Sequence, residues 1–218
     1  MSRLKKKTRV FVTILVLFIA SGFNYAQELK PIQLPPPQKE IGKPLMQVLN
    51  LRKSTRSFTS EKLSMQEISN ILWAGDGINR PESGKRTAPS AMNWQEIEIY
   101  VVMEEGAYVY NAKENVLNPI AGDDLRGACG VQDFVKVAPV NLVYVADLTK
   151  ISQLNDEAKN LYVPADCGFI AQNVYLYCAS QSLSVVVRGM IDRDILSMAL
   201  NLKRDQKILL SQTIGYGK

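Results

Sequence analysis

The run PVNLVYVADL, residues 139–148, limits the fold more than any other stretch. It carries no charge before Asp147 and is built of β-branched, aromatic and leucine side chains, so it reads as a buried strand. Pro139 stands at its first position, where a missing N–H is tolerated. EIEIYVVM (96–103) alternates as a strand does, AYVYNAKENVLNPI reads as a hairpin or strand pair, and DQKILLSQTIGYGK closes the chain as a strand. SVVVRGMID reads as a short strand and turn, followed by a helix from about residue 192 to 200.

The helical period appears elsewhere. PLMQVLNLR is a short amphipathic helix with Pro44 at its start. In KLSMQEISNILWAGDGIN, Ser64 and Glu67 form a capping box, Leu63 and Ile68 a hydrophobic staple, and Gly75 and Gly77 the stop. ADCGFIAQNVYLYCASQSL sets apolar residues at 170, 171, 174, 178 and 179 and is the central helix. DDLRGACGVQDFVKVA reads as helical, with two glycines against it, and RPESGKRTAPSAMNWQ as a long polar loop. Helices and strands mix without the regular alternation of parallel βαβ units. The expected class is α+β, with helices packed on a mostly antiparallel sheet and no internal repeat.

The formal charge of +5 over 218 residues sits at one end. Residues 1–26 hold Arg3, Lys5, Lys6, Lys7 and Arg9 and no acid, and the remainder balances at 21 basic and 21 acidic residues. A general nucleic-acid surface is therefore not expected. The cationic start, an 11-residue apolar run (Val10–Ala20) and a cleavage point after Ala26 read as an export signal, too short for a stable membrane span. Residues 27–44 hold five of the ten prolines and read as an extended tether, leaving 45–218 as one folded domain.

Histidine is absent, which excludes histidine triads, imidazole acid–base catalysis and the common zinc sites. Cys129, Cys167 and Cys178 have no metal-ligand spacing. Cys167 and Cys178 lie 11 residues apart on one helix, about 16 Å, too far to bridge. Buried thiols are the default reading, with a disulfide from Cys129 to one of them open outside the cytoplasm.

One stretch invites an anion. NLRKSTRSF, residues 50–58, sets Arg52, Lys53 and Arg56 among Ser54, Thr55 and Ser57. Arginine forks and hydroxyls suit a phosphate, and arginines four residues apart can hold two anionic parts of one ligand. A solvated helix end has the same composition.

The order of the motifs resembles the FMN-dependent nitroreductase superfamily, nearest its SagB/ThcOx-type dehydrogenases. LRKSTRSF, LSMQEISNILWAGDGIN, RTAPSAMNWQEIEIYVV, APVNLVYVAD, DCGFIAQNVYLYCASQSLS and the terminal IGYG follow in that family's sequence from about residue 44 onward. The resemblance implies FMN as cofactor. Arg52 and Ser54, with Lys53 between, would grip its phosphate, and Arg56 would stand near flavin N1 and the C2 carbonyl. Pro89, Ser90, Ala91 and Asn93 match a loop that reaches the flavin of a partner subunit, with Ala91 replacing a serine. Arg188 and Gly189 match the turn whose backbone N–H faces flavin N5. No proton-relay catalytic residue and no metal are implied.

Two features depart from that pattern: the chain ends at IGYGK, without the relatives' basic tail, and it carries an export signal. The expectation is an exported, homodimeric FMN oxidoreductase exchanging hydride with a nitro, quinone or azoline-peptide substrate. The alternative is a non-catalytic protein that binds a ligand or partner on the same fold.

Overall fold

The computed structural model describes residues 29–218, so the expected signal peptide lies outside the described residues. In chain order the elements are β1 (Ile32–Gln33), α1 (Leu45–Leu51), α2 (Met65–Asp76), β2 (Ile78–Arg80), β3 (Lys85–Arg86), β4 (Ile97–Met103), β5 (Gly106–Asn111) and β6 (Val116–Ala121). There follow β7 (Val140–Asp147), α3 (Asp156–Ser180), β8 (Ser184–Arg188), α4 (Arg193–Ala199) and β9 (Gln206–Gly215). Seven strands form one sheet in the order β1-β6-β5-β4-β7-β9-β8, and every pairing in it is antiparallel. The α+β architecture expected from the sequence is present.

β7 lies between β4 and β9, and both its faces are covered. Val140, Leu142, Tyr144 and Ala146 join the main core with Ile71, Leu72, Cys167, Ile170 and Val174 of α2 and α3. Val143 and Val145 point the other way, into a second core with Cys129, Val135, Leu196 of α4 and Leu200. This two-sided burial is what the uncharged run required.

α2 starts as its sequence dictates. The Ser64 hydroxyl accepts from Glu67 N, and the Glu67 carboxylate accepts from Ser64 N at 2.8 Å. α3 begins at Asp156, nine residues before the expected central helix, because Pro164 is accommodated inside it. Residues 123–138 are not one helix. They form two single turns, at Arg126–Cys129 and Asp133–Val135, broken at Gly130. A Cβ at Gly130 would stand 1.7 Å from Arg188 Nη1, so the segment keeps glycine there and bends around the guanidinium. The polar loop after α2 contains the β2–β3 hairpin and a tight turn at Ala91–Asn93.

The proline-rich segment is extended, but it is not a free tether. β1 adds to the edge of β6, and Leu34 is buried in the main core. Asn70 accepts from Gln38 N at 2.8 Å, while Gln66 and Ser69 donate to the carbonyls of Pro36 and Pro35. α1 departs from expectation in another way. Only Val48 is buried, whereas Leu45, Met46, Leu49 and Leu51 face out, as do Leu161 and Phe169 of α3. Among the described residues no helix is long and apolar enough to cross a membrane.

Candidate functional site

The Arg52–Ser57 stretch leaves α1 and runs along the outer edge of β8. Thr55 N donates to Val185 O, and Val185 N donates to Thr55 Oγ1, both at 2.9 Å, so one residue satisfies both groups of an edge-strand residue. This extended conformation sends alternate side chains to opposite sides. Ser54 Oγ lies 2.9 Å from the Tyr175 hydroxyl of α3, and the Arg52 guanidinium sits 5.5 Å from the centre of the Tyr175 ring. Lys53, Thr55 and Ser57 instead line an open groove of about 460 Å³ with Ser182, Ser184 and Lys218. Among the described residues, none of Arg52, Lys53 and Arg56 takes part in an ion pair. The result is a cationic edge with hydroxyls interleaved and no carboxylate to neutralise it.

Tyr175 ties this edge together. Its hydroxyl accepts from Val187 N at 2.8 Å while meeting Ser54. Sequence reading passed over Tyr175, although it stands four residues beyond Ala171 on the apolar stripe and was identifiable as a buried polar tip.

Gly189 follows β8 directly. A Cβ there would meet only Leu210 Cδ2, at 3.9 Å, an ordinary contact. The fold itself does not require glycine at 189, and the space its missing side chain leaves is open.

Arg188 is different: its side chain is 6% exposed and faces away from the Arg52–Ser57 edge. It donates to Cys129 O at 2.8 Å, and its Nη2 reaches Asn141, Ser211 and Thr213 at 3.1, 2.9 and 2.7 Å. Burial lowers its pKa to about 10, which leaves it a cation at neutral pH. Arg188 therefore holds the Gly127–Phe134 segment onto the sheet, and only its backbone lies beside Gly189.

The Pro89–Asn93 loop is a separate place on this chain. Ala91 N donates to Asp166 Oδ2 at 2.8 Å, nine residues and about 13 Å along α3 from Tyr175. Met92 and Asn93 have φ of 50° and 58°, a left-handed pair that non-glycine residues rarely adopt. Gln95 shapes the loop, because its N donates to Ser90 Oγ at 3.1 Å and its Nε2 to Asn93 Oδ1 at 3.0 Å. Met92 at the tip is 84% exposed. The cationic edge and this loop therefore do not meet within one chain.

All three cysteines are free and buried, with no disulfide among them. Desolvation pushes the Cys129 and Cys167 thiols up to about 12 and Cys178 higher still, so none is a nucleophile in the folded chain.

Known proteins share this fold. Residues 49–216 match the nitroreductase family. A Methanocaldococcus jannaschii protein named "Putative nitroreductase MJ1384" is 32% identical over 176 residues, which cover 76% of this chain and 88% of that protein. A crystal structure of a protein of the same designation from Ralstonia eutropha JMP134 is 40% identical with a TM-score of 0.83, covering 86% of this chain and 90% of that one. A third, from Desulfovibrio desulfuricans and solved in complex with FMN, shares the fold at 22% identity and a TM-score of 0.59, over 80% of this chain and 87% of its own. On the extent of these matches, the chain is a member of the nitroreductase family.

Proposed function

We propose that this protein is an exported FMN-dependent oxidoreductase of the SagB/ThcOx-type branch, acting as a homodimer. The observation that carries the reading is the un-neutralised cationic edge of Arg52, Lys53 and Arg56, with its hydroxyls, leading along β8 to the open space at Gly189. The donor set fits the group. Arginines and hydroxyls suit a phosphate, a fixed cation suits the end of the ring system that gathers charge on reduction, and a glycine with no internal reason to be one suits close backbone approach to a flat ring. Bound FMN would supply hydride exchange at N5, which the side chains of this histidine-free chain do not offer.

In this reading Arg52 and Ser54 bind the phosphate, Lys53 between them adds its charge from the groove side of the strand, Arg56 faces the N1 end, and the backbone of Arg188 and Gly189 faces N5. Pro89, Ser90, Ala91 and Asn93 reach the flavin of the second subunit, which accounts for the distance between loop and edge within one chain. Two copies would bury the apolar side chains that α1 and α3 leave exposed. The substrate would be a nitro compound, a quinone or an azoline-bearing peptide, and the compartment the periplasm or exterior.

The test is reconstitution. Protein refolded with FMN is expected to turn yellow and retain flavin through gel filtration at dimer mass. Arg52→Ala and Arg56→Ala are expected to weaken retention at least about tenfold each, the worth of one charge-assisted contact. A colourless wild-type protein would end the proposal. Flavin that binds but accepts electrons from neither nicotinamides nor quinols would assign the chain to ligand binding without turnover.

A further inference from the structure

Glu96, just before β4, is the most buried carboxyl among the described residues, at 0% exposure. Neither of its oxygens meets a hydrogen-bond donor from another residue. A buried carboxylate left in that state costs several kcal/mol, and proteins avoid it by pairing the group or keeping it protonated. No cation is in position to pair it. Arg86 is spent on Asp76, donating to its Oδ2 at 2.7 Å, and Lys150 donates to Gln95 O at 3.1 Å. The side chain that adjoins Glu96 is a second carboxyl, that of Asp166, which already accepts from Ala91 N.

We propose that Glu96 retains its proton in the folded chain and donates it to Asp166, so that two carboxyls sharing one hydrogen pin the Ser90–Asn93 turn to α3. Glu96 is thus a positioning residue for that turn. The arrangement explains three observations together. Glu96 needs no cation because it is neutral. Asp166 can stay charged and accept from Ala91, because its neighbour is a donor instead of a rival charge. And the left-handed Met92–Asn93 pair, which is not a locally favoured conformation, is held at its N-terminal side by a charge-assisted bond anchored in the core.

The charged and titratable groups facing Glu96 are Asp166 and Cys167 of α3, Asp76 of α2 and Lys150 of the turn after β7. Burial is the main influence on Glu96 and raises it to about 7; its own backbone N–H opposes the rise, the neighbouring Asp166 carboxyl adds to it, and Lys150 opposes it weakly. The shared proton is therefore lost near neutrality, and the turn then faces two adjacent negative charges where it had one. The loop is held below that pH and loosened above it. The lock is a property of the chain alone; its use in presenting the loop to flavin rests on the function proposed above.

Trp94 reports on it, since it follows the turn and meets Tyr162 of α3 edge-on at 5.7 Å. The experiment uses the full flavin-free chain carrying Trp73→Phe, so that Trp94 is the sole tryptophan, with circular dichroism checking the fold. Trp94 emission is expected to step with a midpoint near pH 7 between about pH 5 and pH 9. Amide exchange at Ala91, corrected for its intrinsic pH dependence, should accelerate at least about tenfold across the same step. Glu96→Gln keeps a neutral donor and should remove the step while preserving Ala91 protection on the alkaline side. Asp166→Asn, which removes the acceptor charge, should also abolish the step and leave Ala91 exchanging fast at both ends. A step that survives in Glu96→Gln overturns the proposal, as does a wild-type signal that is flat across the range. Because no flavin is present, failure of FMN to bind would leave the lock standing.

Discussion

Replacing Tyr175 by phenylalanine tests whether the cationic edge is a built site or a loose surface strand. The substitution keeps the ring, and with it the packing under Arg52, but deletes the hydroxyl that accepts from Val187 N at 2.8 Å and meets Ser54 Oγ at 2.9 Å. Val187 is half-buried on an edge strand, and its N–H has no other acceptor among the described hydrogen bonds. Leaving such a donor without a partner costs about 1–2 kcal/mol, the lower part of the range for fully buried groups. Ser54 is exposed and can turn to water, so its share is at most about 0.5 kcal/mol. The total, about 1–2.5 kcal/mol, corresponds to a Tm lower by roughly 2–10 °C for a domain of this size. Urea unfolding of wild type, Tyr175→Phe, Ser54→Ala and the double variant closes a cycle. Ser54→Ala alone should cost no more than about 0.5 kcal/mol and nothing further once Tyr175 is gone. Native-state exchange at the Val187 amide gives the local reading. A stability loss below about 0.5 kcal/mol, or unchanged protection at Val187, would show that Tyr175 does not hold this edge.

The other predictions concern the interior. Gly130→Ala forces a methyl to within 1.7 Å of the Arg188 guanidinium and should destabilise by about 1–3 kcal/mol in urea; a neutral result would mean that the segment can shift aside. All three cysteines should resist a thiol-alkylating reagent in the native protein at mildly alkaline pH and react together on unfolding, read by intact mass; labelling of one cysteine in the folded chain would contradict its burial. Overall stability should fall as pH rises from about 4.5 to about 7. Both states of Glu96 are protonated below that window, the unfolded chain releases its proton first, and above it both are ionised. Glu96, with Asp166 beside it, contributes to this loss, and Asp76, raised to about 7 by burial that outweighs Arg86, acts in the same direction. Urea midpoints at pH 5 and pH 8 check the sign, which would be wrong if the protein were more stable at pH 8.

The sequence announced those parts of the fold whose signal is local. The two-sided run at 140–147 could only be an interior strand, and Ser64 with Glu67 could only begin a helix, because each pattern satisfies a local physical need without help from afar. The segment at 123–138 misled for the opposite reason. Its helical spacing is real, but Gly130 answers to Arg188, 58 residues away, and no window on the sequence contains both. Pro164 hid the first two turns of α3, since a proline inside a long helix looks like a boundary. Within the candidate site, Arg52–Ser57 is conspicuous through charge density, whereas its sorting onto two sides depends on β8, and Tyr175 stands outside the apolar positions that mark its helix. Arg188 is expected at the site only through the family resemblance, and its side chain serves the opposite face, a division that composition cannot express. Glu96 is the first residue of the alternating stretch 96–103, and nothing local distinguishes it from Glu98 two positions on.

The docked N-terminal strap bears on where this protein begins as a physical object. The family match spans residues 49–216, yet a chain trimmed to that boundary would strip the outermost cover from the sheet and open a hole where Leu34 had been. Ser69 and Asn70, now enclosed, would lose their partners in the strap and stand open to water. The family match and mechanical integrity thus draw different borders on the same polypeptide, and a fragment designed by the first would be expected to aggregate along the newly bared flank of β6.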